Sequence, residues 1–149
     1  MFIYIKVEKK IKADRTRLFK AWINTENFAR WFLSGEGVGI ESVDMDTRVG
    51  GSFHINMILK GKILPHQGEY KVIDEPSKLV FTWRSDATNG RDTLVTVTFK
   101  TISENSSKES FTLITLVHER LISDLECEMH RGGWTSILDA MSSWFEAKE

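Results

Sequence analysis

The sequence predicts an α+β fold in which one antiparallel sheet grips a long C-terminal helix, with two short helices after the first strand. Three observations predict it. From Gly39 onward apolar and polar residues alternate with a period of two, the pattern of strands with one face on a core and one in water. The last such segment, Phe111 to Glu119, runs into the capping sequence Ser123-Asp124-Leu125-Glu126 and then into a broad apolar stripe of helical spacing. Before Gly39 the chain alternates over residues 2–12 and then shows two short helical runs.

In order, the first strand places Ile3, Ile5, Val7 and Ile11 on one side. Asp14 caps a helix carrying Leu18, Phe19 and Trp22, and Asn24 or Thr25 caps a second carrying Phe28, Trp31 and Phe32. Gly50-Gly51 makes a turn before a strand with Phe53, Ile55 and Met57 inward, and Gly61 begins the next turn. A strand runs from Gly68 to Asp74, and Glu75-Pro76-Ser77 turns the chain into Leu79, Phe81 and Trp83. The polar run Ser85 to Arg91 closes a hairpin onto Val95, Val97 and Phe99. A serine-rich turn, Ser103 to Ser107, leads to the last strand, where Ile114, Leu116 and His118 share a face.

In the terminal helix Ser123 accepts from the amide three residues on, and Glu126 reaches back to the amide of Ser123. The stripe that follows is Leu125, Met129, Trp134, Ile137, Leu138, Met141, Trp144 and Phe145, with His130 on the side of Trp134. Gly132 and Gly133 cost about 1 kcal/mol each relative to alanine, which close approach of the helix to the sheet would explain, a kink being the alternative.

Composition excludes several classes. With 20 basic against 21 acidic residues the net charge is -1, too weak a field to recruit nucleic acid or an anionic membrane. Cys127 is the single cysteine, so no internal disulfide forms, and no run approaches the roughly 18 apolar residues of a membrane span. The opening residues alternate instead of forming a signal core, so the chain reads as a soluble, cytoplasmic protein, with residues 1–149 a single domain. Monomer and homodimer both stay open.

The chemistry-bearing candidates are few. His118 and His130 converge from the last strand and the helix; they can orient a ligand carbonyl or exchange a proton near neutral pH, or else each simply bonds within the core. His54 faces outward and His66 falls in a turn beside Pro65, with no paired spacing of the kind zinc uses, so no metal is expected. Cys127, flanked by Glu126 and Glu128, reads as an inert thiol. Gly35-x-Gly37-x-Gly39 lacks a phosphate-loop lysine and reads as flexible punctuation, and no nucleophile elbow is present. Arg84 and Glu119 are expected to pair across the sheet. The rings of Trp31, Phe53, Phe81, Trp83, Phe99 and Trp134 either line an apolar pocket or fill the interior entirely.

The chain resembles the activator-of-heat-shock-chaperone-ATPase homologue family, within the START-like and birch-pollen-allergen-like superfamily. The resemblance rests on Phe19-Lys20-Ala21-Trp22, Trp31-Phe32, Gly50-Gly51-Ser52-Phe53, Gly68-Glu69-Tyr70, Leu79-Val80-Phe81-Thr82-Trp83, Val95-Thr96-Val97-Thr98-Phe99, Leu116-Val117-His118-Glu119 and His130-Arg131-Gly132-Gly133-Trp134 with Leu138. It implies a helix-grip fold, a curved antiparallel sheet wrapped around the C-terminal helix with a cavity between them. Many relatives follow a tryptophan pair with glycine-proline; here the segment is Trp31-Phe32-Leu33-Ser34-Gly35-Glu36-Gly37, so a more mobile loop is expected at the pocket mouth.

Three functions follow as expectations. The first is binding of an apolar small molecule or lipid between sheet and helix, without catalysis or cofactor, by Trp31, Phe53, Ile55, Phe81, Trp83, Phe99, His118, His130, Trp134, Leu138 and Met141. The second, which the resemblance implies, is a co-chaperone role on a heat-shock ATPase, against which stands the lack of the separate N-terminal module that eukaryotic activators carry. The third is a cyclase or hydrolase using the two histidines as acid and base.

Overall fold

The computed structural model describes residues 2–32, 37–102 and 110–146. Along the chain run β1 (Ile3–Ile11), α1 (Arg15–Ile23), α2 (Thr25–Trp31), β2 (Val38–Met45), β3 (Ser52–Leu59), β4 (Lys62–Asp74), β5 (Lys78–Ser85), a 3-10 turn (Asp86–Thr88), β6 (Thr93–Ile102), β7 (Phe111–Leu121) and α3 (Asp124–Glu146). All strand pairs are antiparallel, in the order β1-β7-β6-β5-β4-β3-β2. The strands β2 to β7 form a meander, and β1 closes onto β7, so the helix that follows β7 can lie back across the sheet along β1.

The local chemistry of the short helices is as the sequence implies. Asp14 accepts from Thr16 N at 3.1 Å and Asn24 from Asn27 N at 3.0 Å, so each helix begins on a side chain that satisfies a stranded amide. Lys60 and Gly61, both at positive φ, form the two-residue hairpin between β3 and β4, the conformation whose twist matches the flanking strands.

That hairpin changes the reading of β4, which starts at Lys62 instead of Gly68. Counting from the closing Leu59/Lys62 pair, Pro65 opposite Asn56 is a non-hydrogen-bonded position, so its nitrogen points away from β3. On that side β5 joins only at His66/Ser85, so no ladder bond is lost at the proline. His66 is therefore a strand residue, not a turn residue. The segments 33–36 and 103–109, which include most of the expected mobile loop, part of the Gly35-x-Gly37-x-Gly39 run and the serine-rich turn, lie outside the described residues.

Two expectations about α3 are corrected. Its inner face is Cys127, His130, Trp134, Ile137, Leu138, Met141 and Phe145, whereas Leu125 and Met129 are 69% and 47% exposed. Leu125 precedes Trp134 by nine residues, two and a half turns, which puts the two on opposite sides. A Cβ built on Gly132 or Gly133 meets no atom within 4 Å, so close approach to the sheet does not explain them. Close packing does require glycine at Gly68, where a Cβ would lie 1.9 Å from Thr82 O and 2.5 Å from the Phe53 ring, and at Gly51, where it would lie 2.1 Å from Asp46 O. The pairing of Arg84 with Glu119 does not form either: β6 separates their strands, and Arg84 Nε bonds Asp92 Oδ1 at 2.9 Å.

Candidate functional site

The interior is divided by rings. From the α1/α2 end, Trp22 meets Trp31 edge-on at 5.0 Å, Phe28 stacks on Phe32 at 4.2 Å, and Phe32 reaches Trp134 of α3 at 6.2 Å. Phe53 and Phe81 meet at 5.5 Å, and Trp83 closes the row against Trp134 at 4.9 Å. Edge-to-face pairs at these separations each add roughly 0.5–1.5 kcal/mol beyond the burial of the rings.

At this end the rings leave a void of about 20 Å³, bordered by Trp22, Phe28, Phe32, Phe53, Tyr70 and Phe81 among others. That is the room of one water. Trp22 Nε1, on the wall of this void, is buried without an acceptor among the described residues.

On the other side of Trp83 a cleft of about 130 Å³ lies between the sheet and the first half of α3. Met57 of β3, His66 of β4, Trp83 and Ser85 of β5, and His130, Trp134 and Ile137 of α3 wall it, with Ala87, half-exposed Met129 and Gly133 at its edges. The bare Cα of Gly133 leaves room here that any other residue would occupy.

The two sides of the cleft are fastened together. Arg91, just beyond the 3-10 turn, grips Glu126 of α3 with two bonds of 2.8 and 3.0 Å. Glu126 also accepts from Ile122 N at 3.1 Å, one residue earlier than the capping sequence predicts, while Ser123 Oγ accepts from Glu126 N as expected. The Arg91 guanidinium holds this carboxyl below the usual carboxylate range.

Behind Trp134 lies a chain of hydrogen bonds whose proton positions are determined. Trp134 Nε1 donates to His118 Nδ1 at 2.9 Å, and an indole nitrogen only donates, so Nδ1 carries the lone pair. The ring proton is then on Nε2, which donates to Thr93 Oγ1 at 2.7 Å, and that hydroxyl donates to Trp83 O at 2.6 Å. Burial, and next the neighbouring His130, pushes the His118 imidazole down to about 3. A fully buried imidazole with both nitrogens engaged exchanges no proton with a ligand near neutral pH, so of the two alternatives for His118 the structure favours bonding within the core over acid–base exchange. His118 is instead the post that fixes Trp134 and, edge-on at 4.6 Å, His130.

The sequence-named residues thus separate. Trp83, His130 and Trp134 border the cleft; Phe53, Ile55, Phe81 and again Trp83 border the small void. Trp31, Phe99, His118, Leu138 and Met141 border neither hollow and are core residues, Trp31 tied to Ala21 O at 2.9 Å and Phe99 edge-on to Phe19 at 5.2 Å. His66, Met57 and Ser85 belong to the cleft but were not singled out for it. Extending the alternation back from buried Tyr70 through Gly68 puts His66 on the inner face, the one signal that could have found it. Cys127 is buried, which pushes its thiol up and leaves it inert, as expected.

A curved antiparallel sheet gripping a C-terminal helix, with two short helices after the first strand, defines the helix-grip class of α+β domains. Within it, this chain belongs to the Activator of Hsp90 ATPase homolog 1-like protein family, whose model matches residues 12–146. Protein CV1439 from Chromobacterium violaceum is similar in structure, with a TM-score of 0.78 at 19% identity over 95% of this chain and 96% of that one. Protein NE0264 from Nitrosomonas europaea has a TM-score of 0.76 at 15% identity, covering 97% and 95% of the two chains. The AHSA1-like protein from Aeromonas hydrophila has a TM-score of 0.71 at 22% identity, covering 98% and 94%. No curated protein matches the chain significantly. Family and fold together suggest a ligand-binding domain. Among the described residues no helix is long and apolar enough to cross a membrane.

Proposed function

We propose that this protein binds a compact, largely apolar small molecule in the cleft between α3 and the sheet. The observation that carries the reading is the 130 Å³ space itself, walled by two indoles, two imidazoles and apolar side chains. Its size sets the class of guest. A cavity of about 150 Å³ holds benzene, whereas drug-sized ligands occupy roughly 300–1,000 Å³. A single ring fits and a long acyl chain does not, which favours the small-molecule half of the sequence-based expectation over the lipid half.

Titration with toluene and with a long-chain fatty acid, followed by tryptophan emission, tests this. Toluene is expected to change the emission because Trp83 and Trp134 form the wall, and Gly133→Leu, which fills the space, is expected to abolish the response. A protein indifferent to toluene and its ring-sized analogues overturns the reading.

A second reading, contact with a heat-shock ATPase, is favoured by the family and by Ile122, Leu125 and Met129, which stand 49%, 69% and 47% exposed around the start of α3. Stimulation of Hsp90 ATPase turnover by the wild-type chain, lost on Leu125→Glu, is the expected result under that reading; no stimulation removes it.

A further inference from the structure

The two imidazoles in the cleft wall carry information about the guest beyond its size. His130 Nδ1 lies 2.7 Å from Glu126 O, and His66 Nδ1 lies 2.9 Å from Leu64 O. A carbonyl oxygen only accepts, so in both rings Nδ1 carries the proton and donates, and Nε2 of the neutral ring is left with a lone pair. The His130 tautomer is therefore set by a backbone atom of its own helix before any ligand arrives, and that of His66 by Leu64 of its own strand, with the Ile55 carbonyl of β3 also at the ring. Burial lowers the affinity of both rings for a second proton, which keeps them neutral. No described side chain or backbone group donates to either Nε2. The other polar groups on the wall, the Ser85 hydroxyl and the Trp83 indole, can donate, and no lysine or arginine is among the lining residues.

We infer that the cleft selects a ring bearing a hydroxyl group, of the phenol class, over rings of the same size that carry an ether, a carboxylate or no polar atom. A hydroxyl satisfies the site in both directions, since it donates to an imidazole Nε2 and accepts from the indole or serine. An ether leaves the lone pairs of His66 and His130 unmet, and a carboxylate brings a charge against them with no cation to offset it. The inference rests on the cleft reading above and names its ligand class.

The test compares phenol, anisole, toluene and benzoate on the wild-type protein at pH 7.5 by calorimetry. Phenol is expected to bind about five- to tenfold more tightly than anisole, the gain of one neutral hydrogen bond, with benzoate weakest. Long-range proton–nitrogen correlation spectra are expected to move His130 Nε2 on adding phenol and to leave Nδ1 in place. In His130→Phe the preference for phenol over anisole shrinks while toluene still binds. Equal binding of phenol and anisole by the wild-type protein overturns this inference and leaves the cleft reading standing, and the comparison needs no variant to fold. Absence of binding by all four removes the cleft reading and this inference with it.

Discussion

The two sides of Trp83 are built from the same materials and have opposite properties. Toward α1 and α2 the rings interlock so closely that about 20 Å³ remains, whereas toward the N-terminal half of α3 about 130 Å³ stays open. The difference is what supports each ring. On the packed side the rings lean on one another, Trp22 alone making edge contacts with Phe28, Trp31, Phe32 and Phe99. On the open side Trp134 is held from behind by His118 and the two walls by Arg91 and Glu126, so polar bonds keep apart surfaces that would otherwise collapse. Aromatic content by itself therefore does not make a pocket; space persists where something other than the rings holds them.

Four experiments bear on this contrast. The largest effect is expected from Trp31→Ala, which removes a fully buried ring from the packed side and costs about 3–5 kcal/mol in urea unfolding. Because Trp31 borders neither hollow, a variant that still folds keeps its affinity for a cleft ligand; a loss of affinity would merge the two regions into one. Gly68→Ala comes next. The methyl would overlap Thr82 O and Phe53, so a loss of about 1–3 kcal/mol is expected, and an unchanged unfolding midpoint would show that β4 has room to shift.

Acid tests the polar supports. His118, His66 and His130 all hold protons less tightly folded than their ordinary value of 6.5. As pH falls through 6.5 the unfolded chain takes up protons first, so stability is lost from there downward, until His118 itself titrates at about 3. Each such group contributes up to about 1.4 kcal/mol per pH unit. Unfolding measured from pH 7 to 4 should show this slope, and His118→Phe should flatten it by one proton; an unchanged slope would mean that folded His118 takes up its proton over the same pH range as the unfolded chain. Glu126 adds to the loss in the same direction at lower pH: its depressed value means that its stabilisation is complete above the ordinary carboxylate range and is lost as pH falls from there through the lower folded value.

The smallest effects belong to the helix glycines. Gly132→Ala is expected to raise stability by up to about 1 kcal/mol with ligand binding unchanged, since its Cβ meets nothing and the residue lies outside the cleft. Gly133→Ala should stabilise similarly yet weaken toluene binding. Equal effects on binding would dissolve the distinction between the two positions.

Much of this architecture is legible in the chain because local chemistry writes it. Asp14 and Asn24 announce helices by supplying acceptors, and the alternation of Leu79, Phe81 and Trp83 or of Ile114, Leu116 and His118 states which face is buried. Half of the start of α3 was legible for the same reason: Ser123 caps where expected, but Glu126 is drawn to Arg91, 35 residues away, and no local rule carries that pairing. The site was less readable than the fold. His66 was hidden because a proline inside a strand looks like a turn until the neighbouring strand is seen to join one residue later. The role of His118 stayed open because a sequence shows that a histidine faces inward but not that Trp134 and Thr93 have taken both of its nitrogens.

The sequence alone determined which residues go inside, where helices begin and that one sheet must cover one long helix, since these follow from periodicity, capping and the need to bury one face of each element. Whether the interior is solid or hollow was decided only in three dimensions. Volume between rings depends on their mutual angles and on which polar groups brace them, and those partners come from β5, β6, β7, α3 and the loop that carries Arg91.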